Sequence, residues 1–438
     1  MLERLFHLAA ARTTVRTEVL AGVTTFLTMA YIVFVQPAVL ASAGMDPGAV
    51  FVATCLASAA ATFIMAFSAN YPIAVAPAMG HNFFFVFAVV VARGTPWPIA
   101  LGAVAIAGGI FILTAGLGLR ERVITAVPES LKHAITVGIG LLIALVGLEW
   151  SGVVVGSPAT LVTLGGFGSR PVLLALGTLA IMAVLTARGV KGAILIGMAI
   201  STAIALWLGL ATYHGIVSLP PSIAPTFLKL DIRGALTPQL IDVVFVFFFL
   251  ALFDSIGTLI GVANRLGLMR DGKLPRARQA LLADAAGTVL GAALGTSTLT
   301  AYVESSAGVA AGGRTGLASV VTGTLFLVAL FFQPLVRIIG GGYDAGQGII
   351  LYPAIAPALI LVGVMMMESV RRIRWDDFTE AFPAFLAIVI MPLSFSITDG
   401  IAFGFIAAAI LKPATGRGRE LSWLAYLFAL LFLARYAI

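Results

Sequence analysis

The feature that most constrains the fold is a series of long apolar runs that repeats along almost the whole chain. Many of these runs approach the ~20 residues that an α-helix needs to cross the hydrocarbon core of a bilayer. Charged residues make up only 10% of the 438 residues, whereas a soluble domain carries roughly 25%. A large soluble protein with so many buried helices would lack polar surface. We therefore predict an all-α polytopic membrane protein.

The apolar runs fall into two sets of seven, which predicts fourteen spans. The first set occupies residues 1–210 and the second 238–411, with a polar, proline-containing connection at 211–237. Residues 412–438 hold a basic loop and a last apolar stretch, 421–437, whose crossing is left open. The predicted spans are 17–41, 49–68, 72–92, 97–118, 131–149, 171–187, 191–210, 238–264, 279–294, 295–311, 315–338, 348–367, 377–397 and 399–411.

The distribution of basic residues gives the expected orientation. With fourteen spans and a cytoplasmic N-terminus, 20 of the 26 Lys and Arg face the cytoplasm and 5 face outward, with Arg435 unassigned. This asymmetry follows the positive-inside rule. The net charge of +7 is therefore explained by loops between spans, and no nucleic-acid partner is expected.

The chain start and the cysteine content add two expectations. The segment MLERLFHLAAARTTVRTEVLAG is basic but runs into a span without a small-residue cleavage site, so no removable signal peptide is expected. Cys55 is the single cysteine, which excludes an intramolecular disulfide framework and a cysteine metal cluster. No cofactor and no metal are expected.

The third and tenth spans are irregular in the same way. Each begins with about six residues suited to an extended strand, IAVAP and TSTLTAY, before a short helix. Pro72 and Pro77 cannot donate helical hydrogen bonds, and residues 295–298 (GTST) are poor helix formers. Because seven is odd, the second half must be inverted, as in many secondary transporters. Two broken spans at equivalent places predict a binding site where the short helices start; two proline-kinked packing helices are the alternative.

Two acids lie inside apolar spans, where a charge is expensive and usually serves function. Asp254 is near the centre of the eighth span, and Glu304 is just inside the short helix of the tenth. Asp242, Glu149 and Glu368 fall at span ends, where solvation explains them. Asp284 lies deeper and is interpreted as a structural hydrogen-bond partner.

The chemistry of Asp254 and Glu304 suits a planar heterocycle. A carboxylate can accept two hydrogen bonds and clamp adjacent N–H groups of a ring. Loss of hydration disfavours its charged form, so proton uptake becomes accessible. One or two of the aromatic residues at 83–85 could stack on the ring, and the rest are ordinary packing residues. These residues predict a carrier for a nitrogen heterocycle coupled to protons.

Several long motifs, in order along the chain, resemble the AzgA-like adenine/guanine/hypoxanthine permeases of the nucleobase–cation symporter (nucleobase–ascorbate transporter) superfamily. They are AGVTTFLTMAYIVFVQPAVL, APAMGHNFFF, LFDSIGTLIGVAN, GTSTLTAYVESSAGVAAGGRTGL and DDFTEAFPAFLAIVIMPLSFSITDGIAFGFI. The resemblance implies a seven-plus-seven inverted repeat with interleaved core and gate domains. It also implies proton-coupled purine symport by elevator-like movement, in a homodimer in the bacterial inner membrane.

The resemblance also implies which residues form the site. Glu304 would hold the N–H edge of the base, and Asp254 would orient the base and share proton coupling. Asn82 would fix the ring or the carboxylates, and Gly80 would allow close approach of the backbone. The same comparison adds Thr25, His81 and Phe83 to the predicted substrate site, although the family commonly has APGMGLNA where this chain reads APAMGHNF. The differences at Ala78, His81 and Phe83 leave the choice of purine open. His81 has packing against the core as its alternative role.

Three other functions are weighed. An anion transporter of the sulfate or bicarbonate type shares the broken-helix architecture, but two carboxylates facing the cavity would repel its substrate. A membrane enzyme is disfavoured because the chain has no HExxH motif, no cytosolic nucleotide loop and no Ser/His pair at helical spacing. A purely structural membrane protein would not need buried central acids.

Overall fold

A computed structural model describes residues 2–117, 127–267, 274–346 and 349–437 of the chain. The basic residues Arg120, Arg122, Arg270 and Lys273, assigned above to cytoplasmic loops, lie outside these ranges, as do the terminal residues 1 and 438. The chain forms two compact units. One comprises 1–117 with 166–358, and the other 118–165 with 359–438.

The described residues are mostly helical. The α-helices are α1 (Leu2–Phe6), α2 (Val15–Met29), α3 (Ile32–Ala41), α4 (Pro47–Ser68), α5 (Met79–Phe83), α6 (Trp97–Leu117), α7 (Glu129–Trp150), α8 (Arg170–Ala187), α9 (Ala193–Trp207), α10 (Ile232–Ala235), α11 (Ile241–Leu266), α12 (Ala277–Leu294), α13 (Ser305–Ala310), α14 (Gly316–Ala329), α15 (Gln333–Gly340), α16 (Ala356–Met366), α17 (Phe378–Ser394), α18 (Ile397–Ala414) and α19 (Trp423–Ala437). A π-helix, Phe84–Val91, continues α5. Three antiparallel strand pairs complete the structure: β1 (Val75–Pro77) with β4 (Leu299–Ala301), β2 (Val154–Ser157) with β3 (Leu161–Leu164), and β5 (Tyr343–Asp344) with β6 (Ile350–Leu351).

Every predicted span overlaps one of these helices, and a membrane protein is confirmed as the class. Within the described ranges, eight segments are long and apolar enough to cross a bilayer, and four shorter apolar helices accompany them. The count of fourteen crossings stays a prediction. The eight segments are Val15–Ala41, Pro47–Ser68, Trp97–Leu117, Glu129–Trp150, Arg170–Ala187, Pro238–Leu266, Gly316–Gly340 and Ile397–Ala414.

The third and tenth spans are broken as their sequences predict. Strands β1 and β4 pair antiparallel with Ala76 opposite Thr300, and each strand leads into a short helix. Neighbouring helices satisfy the strand backbones. On α4 the Thr62 hydroxyl donates to the Val75 carbonyl at 3.1 Å and accepts from its N–H at 3.0 Å. On α12 Thr288 donates to the Leu299 carbonyl at 2.9 Å. Buried backbone groups at membrane depth therefore keep their partners.

Close approach of helices in the first unit depends on glycine. A methyl group added at Gly308 on α13 would lie 2.7 Å from the backbone oxygen of Ala21 on α2 and would also collide with the Thr25 hydroxyl. Small residues let membrane helices approach until their backbones touch. The short helix that follows β4 is therefore held directly against α2.

In the second unit, α17 packs against both α7 and α18, again through glycine. A methyl at Gly138 on α7 would lie 2.6 Å from the sulfur of Met391 on α17. Helix α19 lies antiparallel along α18, since Phe405 contacts Phe428 and Phe432 and the Tyr436 hydroxyl donates to Asp399 at 2.7 Å.

A polar cluster joins the start of α17 to the loop between α18 and α19. Arg417 donates to Asp377 at 2.8 Å and to Glu420 at 2.6 Å, and Lys412 donates to Glu420 at 2.9 Å. Hydrogen bonds from the Thr379 hydroxyl and from Arg417 lower the pKa of Asp377 to about 2. Hydrogen bonds from Arg417 and Lys412 lower the pKa of Glu420 to about 2. Both acids are therefore charged at neutral pH.

Candidate functional site

The two broken spans meet where their short helices begin. The Ala78 N–H donates to the Thr298 carbonyl at 2.9 Å, and the Tyr302 N–H donates to the Ala74 carbonyl at 2.9 Å. The Tyr302 hydroxyl crosses from one segment to the other and donates to the Pro77 carbonyl at 2.5 Å. Tyr302 is nearly buried, with 5% of its surface exposed. The starts of α5 and α13 are thus fixed side by side.

Glu304 lies at the junction between β4 and α13, at the N-cap position of that helix. Its side chain is half-buried. The Tyr31 hydroxyl, at the junction between α2 and α3, donates to Glu304 Oε1 at 2.7 Å. Thr28 on α2 donates to the Glu304 backbone carbonyl at 3.4 Å. One carboxylate oxygen, Oε1, is therefore oriented by a buried phenol.

Asp254 lies near the middle of α11, a helix of 26 residues, and its side chain is exposed. The buried Thr300 of β4 donates to Asp254 Oδ2 at 2.8 Å. Gly257 and Gly261 lie on the same helix face, and a methyl at either would meet nothing within 4 Å. Asp254 thus lies on an open face of α11, and its Oδ2 is held by Thr300 of β4.

The two acids converge on one short segment. Thr300, which holds Asp254, and Glu304 lie four positions apart, across the end of β4 and the start of α13. Both carboxylates are therefore tied to the same short segment, residues 300–304. Two carboxylates near each other in a membrane interior favour sharing a proton or binding a hydrogen-bond donor between them. The structure therefore brings together the two residues on which the sequence argument depended.

Asp284 is the structural hydrogen-bond partner that its sequence position suggested. It lies on α12, is fully buried, and accepts the Ala301 N–H through Oδ2 at 3.1 Å. With Thr288, one helical turn away, it anchors the two ends of one edge of β4 to α12. Strand β4, which positions Thr300, is thereby fixed by α12 on the edge that faces away from β1.

Asn82 is fully buried, and its amide is engaged within the protein. It exchanges hydrogen bonds with the Gln36 amide on α3, and its oxygen also accepts from the Ser297 hydroxyl. Gln36 donates in addition to Thr296 at 2.9 Å. This arrangement ties α3 and α5 to the chain before β4. A direct contact of Asn82 with substrate stays a prediction.

The remaining predicted site residues lie on α5 and α2. His81 is buried, and among the described residues neither ring nitrogen has a hydrogen-bond partner. Phe83 is fully buried and stacks on Phe87 with ring centroids 5.7 Å apart. Gly80 is partly exposed at the start of α5, and Thr25 packs against α13. Their roles with substrate remain untested predictions.

Sequence reasoning missed the polar residues that serve the two acids. Tyr31 and Thr300 touch Glu304 and Asp254 directly. Glu18, a fully buried acid on α2, accepts the Arg314 N–H at 2.9 Å just before α14. No signal in the sequence distinguished Tyr31, because it lies within an apolar run. Thr300 could have been found as the polar residue between two apolar ones, Leu299 and Ala301, in the predicted extended segment.

Across the described ranges, no group of three or more His, Cys, Asp or Glu side chains is arranged to hold a metal ion.

This arrangement can be set beside known proteins. Residues 16–403 match the model of a protein family described as the permease family (Xan_ur_permease). The chain belongs to this permease family. The match covers both broken spans, Asp254 and Glu304. The resemblance drawn from the sequence motifs is confirmed.

Relatives within the permease family are alike over nearly their whole length. The adenine permease AdeP of Escherichia coli is 47% identical over 437 residues, which cover 99% of this chain and 96% of AdeP. The guanine/hypoxanthine permease PbuO of Bacillus subtilis is 45% identical over 436 residues, which cover 98% of each chain. These relatives are named as transporters and not as enzymes.

The fold of this permease is also seen in solved structures. The transmembrane domain of a cyanobacterial bicarbonate transporter, BicA, superposes with a TM-score of 0.64. The alignment covers 88% of this chain and 97% of that domain, at 18% sequence identity. At this identity the likeness is one of fold alone.

Proposed function

We propose that this permease transports purine nucleobases of the adenine, guanine and hypoxanthine class together with protons. The observation that carries the proposal is the meeting of Asp254 and Glu304 at the junction of two broken spans, each acid held by one hydroxyl. Acids at membrane depth are rare and mark substrate or proton pathways. Similarity over nearly full length to permeases named for adenine and for guanine/hypoxanthine supports the substrate class.

The geometry suits a ring with N–H donors. Tyr31 occupies Glu304 Oε1 and Thr300 occupies Asp254 Oδ2, which leaves one oxygen of each carboxylate to accept from a base. Neighbouring N–H groups on a purine edge can bridge two such acceptors. The substrate would then reduce the repulsion between the two carboxylates, and a proton on either would do the same. This shared dependence is the physical basis proposed for symport.

The proposal includes the wider mechanism. The chain would have fourteen spans in a seven-plus-seven inverted repeat, with its N-terminus in the cytoplasm of a bacterial cell and the protein in the inner membrane. Movement of a core against a gate, in a homodimer, would carry the site across the bilayer. Pairing of β1 with β4 supports the inverted repeat, since equivalent elements of the two halves meet there.

An anion transporter is the second candidate, and the fold likeness to a bicarbonate transporter favours it. The site chemistry disfavours it. Two acids, Asp254 and Glu304, face the position where an anion would bind, and no Lys or Arg among the described residues pairs with either one. Uptake of labelled bicarbonate or sulfate into proteoliposomes, without uptake of purine, would establish this alternative.

The site assignment is tested by uptake of radiolabelled hypoxanthine and adenine into proteoliposomes. Glu304→Gln and Asp254→Asn keep the shape of each side chain and remove its charge, and we expect each to abolish or severely impair uptake. Glu149→Gln is the matched control, because Glu149 is an exposed acid at the end of α7. Full transport by both Glu304→Gln and Asp254→Asn would refute the assignment.

Proton coupling is tested separately from substrate class. An inward proton gradient imposed on the proteoliposomes should drive purine uptake above equilibrium, and an uncoupler should remove that accumulation. A sodium gradient of equal size serves as the control. Purine accumulation that is unchanged by the uncoupler would refute proton coupling, while the assignment of purine transport would stand.

The role of His81 in selectivity is tested by His81→Leu. Because the imidazole is buried beside Asn82, the substitution should change the preference among purines more than the maximal rate. Competition of unlabelled purines, xanthine and pyrimidines against labelled hypoxanthine measures that preference. An unchanged competition profile would assign His81 to packing alone.

A further inference from the structure

A second cavity, of about 630 Å³, lies in the first unit between α3, the start of α4, α15 and the connection at 211–237. Its volume is within the range of small-molecule pockets, ~300–1,000 Å³. Under the predicted orientation it opens on the extracytoplasmic side, because it is lined by the long outer connection and by Arg337. We call it the outer cavity.

Gln333 contributes a neutral polar side chain to the outer cavity. Its side chain lines the cavity with only 8% of its surface exposed, and no residue of the described part of the chain hydrogen-bonds to its amide. The side chain therefore presents a donor and an acceptor to the cavity. A ligand that offers both a donor and an acceptor would satisfy it.

Arg337 stands one helical turn further along α15 and lines the same cavity. Residues four apart on a helix lie on one face, so the amide and the guanidinium point into the cavity together. Among the described residues Arg337 has no ion-pair partner. The one acid in the lining, Asp46, already accepts the Ala49 N–H at 2.7 Å as the cap of α4.

Aromatic rings line the outer cavity beside these polar groups. Phe34 comes from α3, Phe51 from α4, and Tyr352 follows β6. Flat rings beside a guanidinium and an amide match a planar heterocycle. Arginine reads the O6/N7 edge of a 6-oxopurine through two hydrogen bonds, and glutamine reads the N6/N7 edge of adenine in the same way.

We propose that the outer cavity is a second purine site, in which Gln333 and Arg337 read the N7 edge of the base before it reaches Asp254 and Glu304. The proposal rests on the proposed function for the identity of the ligand. The two sites share α3, since Phe34 lies one turn beyond Tyr31, which holds Glu304. A base captured in the outer cavity is therefore within a short path of the central acids.

The test is equilibrium dialysis of radiolabelled hypoxanthine against the purified full-length protein. Wild type should bind two molecules per chain, and the double variant Asp254→Asn/Glu304→Gln should bind one. Arg337→Lys keeps the positive charge but cannot donate two parallel hydrogen bonds from one planar group. Added to the double variant, it should weaken the affinity of the remaining site for hypoxanthine about 5- to 150-fold. Gln333→Leu in the same background should weaken adenine more than hypoxanthine. Arg233→Ala, an exposed arginine outside the cavity, is the matched control and should change neither.

Two outcomes would overturn the outer site. The central double variant could bind no hypoxanthine, or its binding could be indifferent to both Arg337→Lys and Gln333→Leu. The thermal unfolding temperature of each variant should be close to that of its parent, and a lower value would show that binding was lost through misfolding. If Gln333→Leu misfolds, Gln333→Met takes its place, because methionine has a similar volume and also lacks the amide. Purine uptake is read on wild type alone. A protein that binds as described but transports no purine would refute the proposed function and leave the outer site standing.

Discussion

The hydrogen bond from Tyr31 to Glu304 can be removed without changing the shape of the site. Tyr31→Phe deletes one hydroxyl from a side chain that is 2% exposed, and Glu304 Oε1 then loses a donor at 2.7 Å. A hydrogen bond to a charged group contributes ~1.5–3 kcal/mol, which corresponds to ~10- to 150-fold in a rate or binding constant. If the phenol orients Glu304 for the substrate, uptake efficiency should fall by that factor.

Tyr302→Phe supplies the comparison for this experiment. Tyr302 is a second buried phenol at the same junction, but its hydroxyl donates to the Pro77 carbonyl at 2.5 Å and not to an acid. A bond between neutral groups contributes ~0.5–1.5 kcal/mol, and its loss should lower thermal stability more than transport. Initial rates of hypoxanthine uptake over a range of concentrations measure the efficiency of both variants. A Tyr31→Phe protein within twofold of wild type, or a larger fall for Tyr302→Phe, would refute the orienting role of Tyr31.

The remaining predictions concern the supports of the site and the ion-pair cluster. Gly308→Ala places a methyl 2.7 Å from the α2 backbone, so it should destabilise the protein by ~1–3 kcal/mol in thermal unfolding. Gly109→Ala is the control and should be neutral, because its added methyl would meet nothing within 4 Å. Equal effects of the two substitutions would contradict the packing argument. Thr62→Val removes two hydrogen bonds to β1, and Thr288→Val removes one to β4. At ~0.5–1.5 kcal/mol per bond, the loss of unfolding free energy should be about twice as large for Thr62→Val. A larger loss for Thr288→Val would contradict this expectation. Because the pKa of Asp377 falls from its usual 3.8 to about 2 on folding, its stabilising effect is complete above pH ~4 and lost as pH falls through ~2. The protection factors of amides in the loop between α18 and α19, which correct for the pH dependence of intrinsic exchange, should fall only in that window, and a fall already at pH ~6 would contradict the assignment.

The sequence predicted the breaks in the third and tenth spans for a definite physical reason. Pro72 and Pro77 withdraw backbone donors from a helix, and GTST at 295–298 is a poor helix former, so both segments had to be irregular. Asp254 and Glu304 could likewise be identified, because an acid in hydrocarbon is costly wherever its neighbours lie. These inferences need only the residue and its immediate surroundings.

Contacts between distant parts of the chain were not accessible in this way. Tyr31 in an apolar run looks like an ordinary packing aromatic, and only the fold shows that its hydroxyl reaches Glu304. Asn82 was predicted to face the substrate because the family resemblance places it in the site, yet its partner Gln36 lies 46 residues away. Gln333 is a further example, since only the fold shows that its side chain lines a cavity.

The pairing of β1 with β4 has a consequence for how the protein is made. Tyr302 and Pro77, which hydrogen-bond across this pair, are 225 residues apart in the chain. While the ribosome is still synthesising the second half, the amide and carbonyl groups of β1 have no strand to bind, although they already belong to a membrane segment. The pairing of Ala76 with Thr300 can therefore form only after the second half has been synthesised. Completion of the junction between β1 and β4 is therefore a late step in the synthesis of this protein.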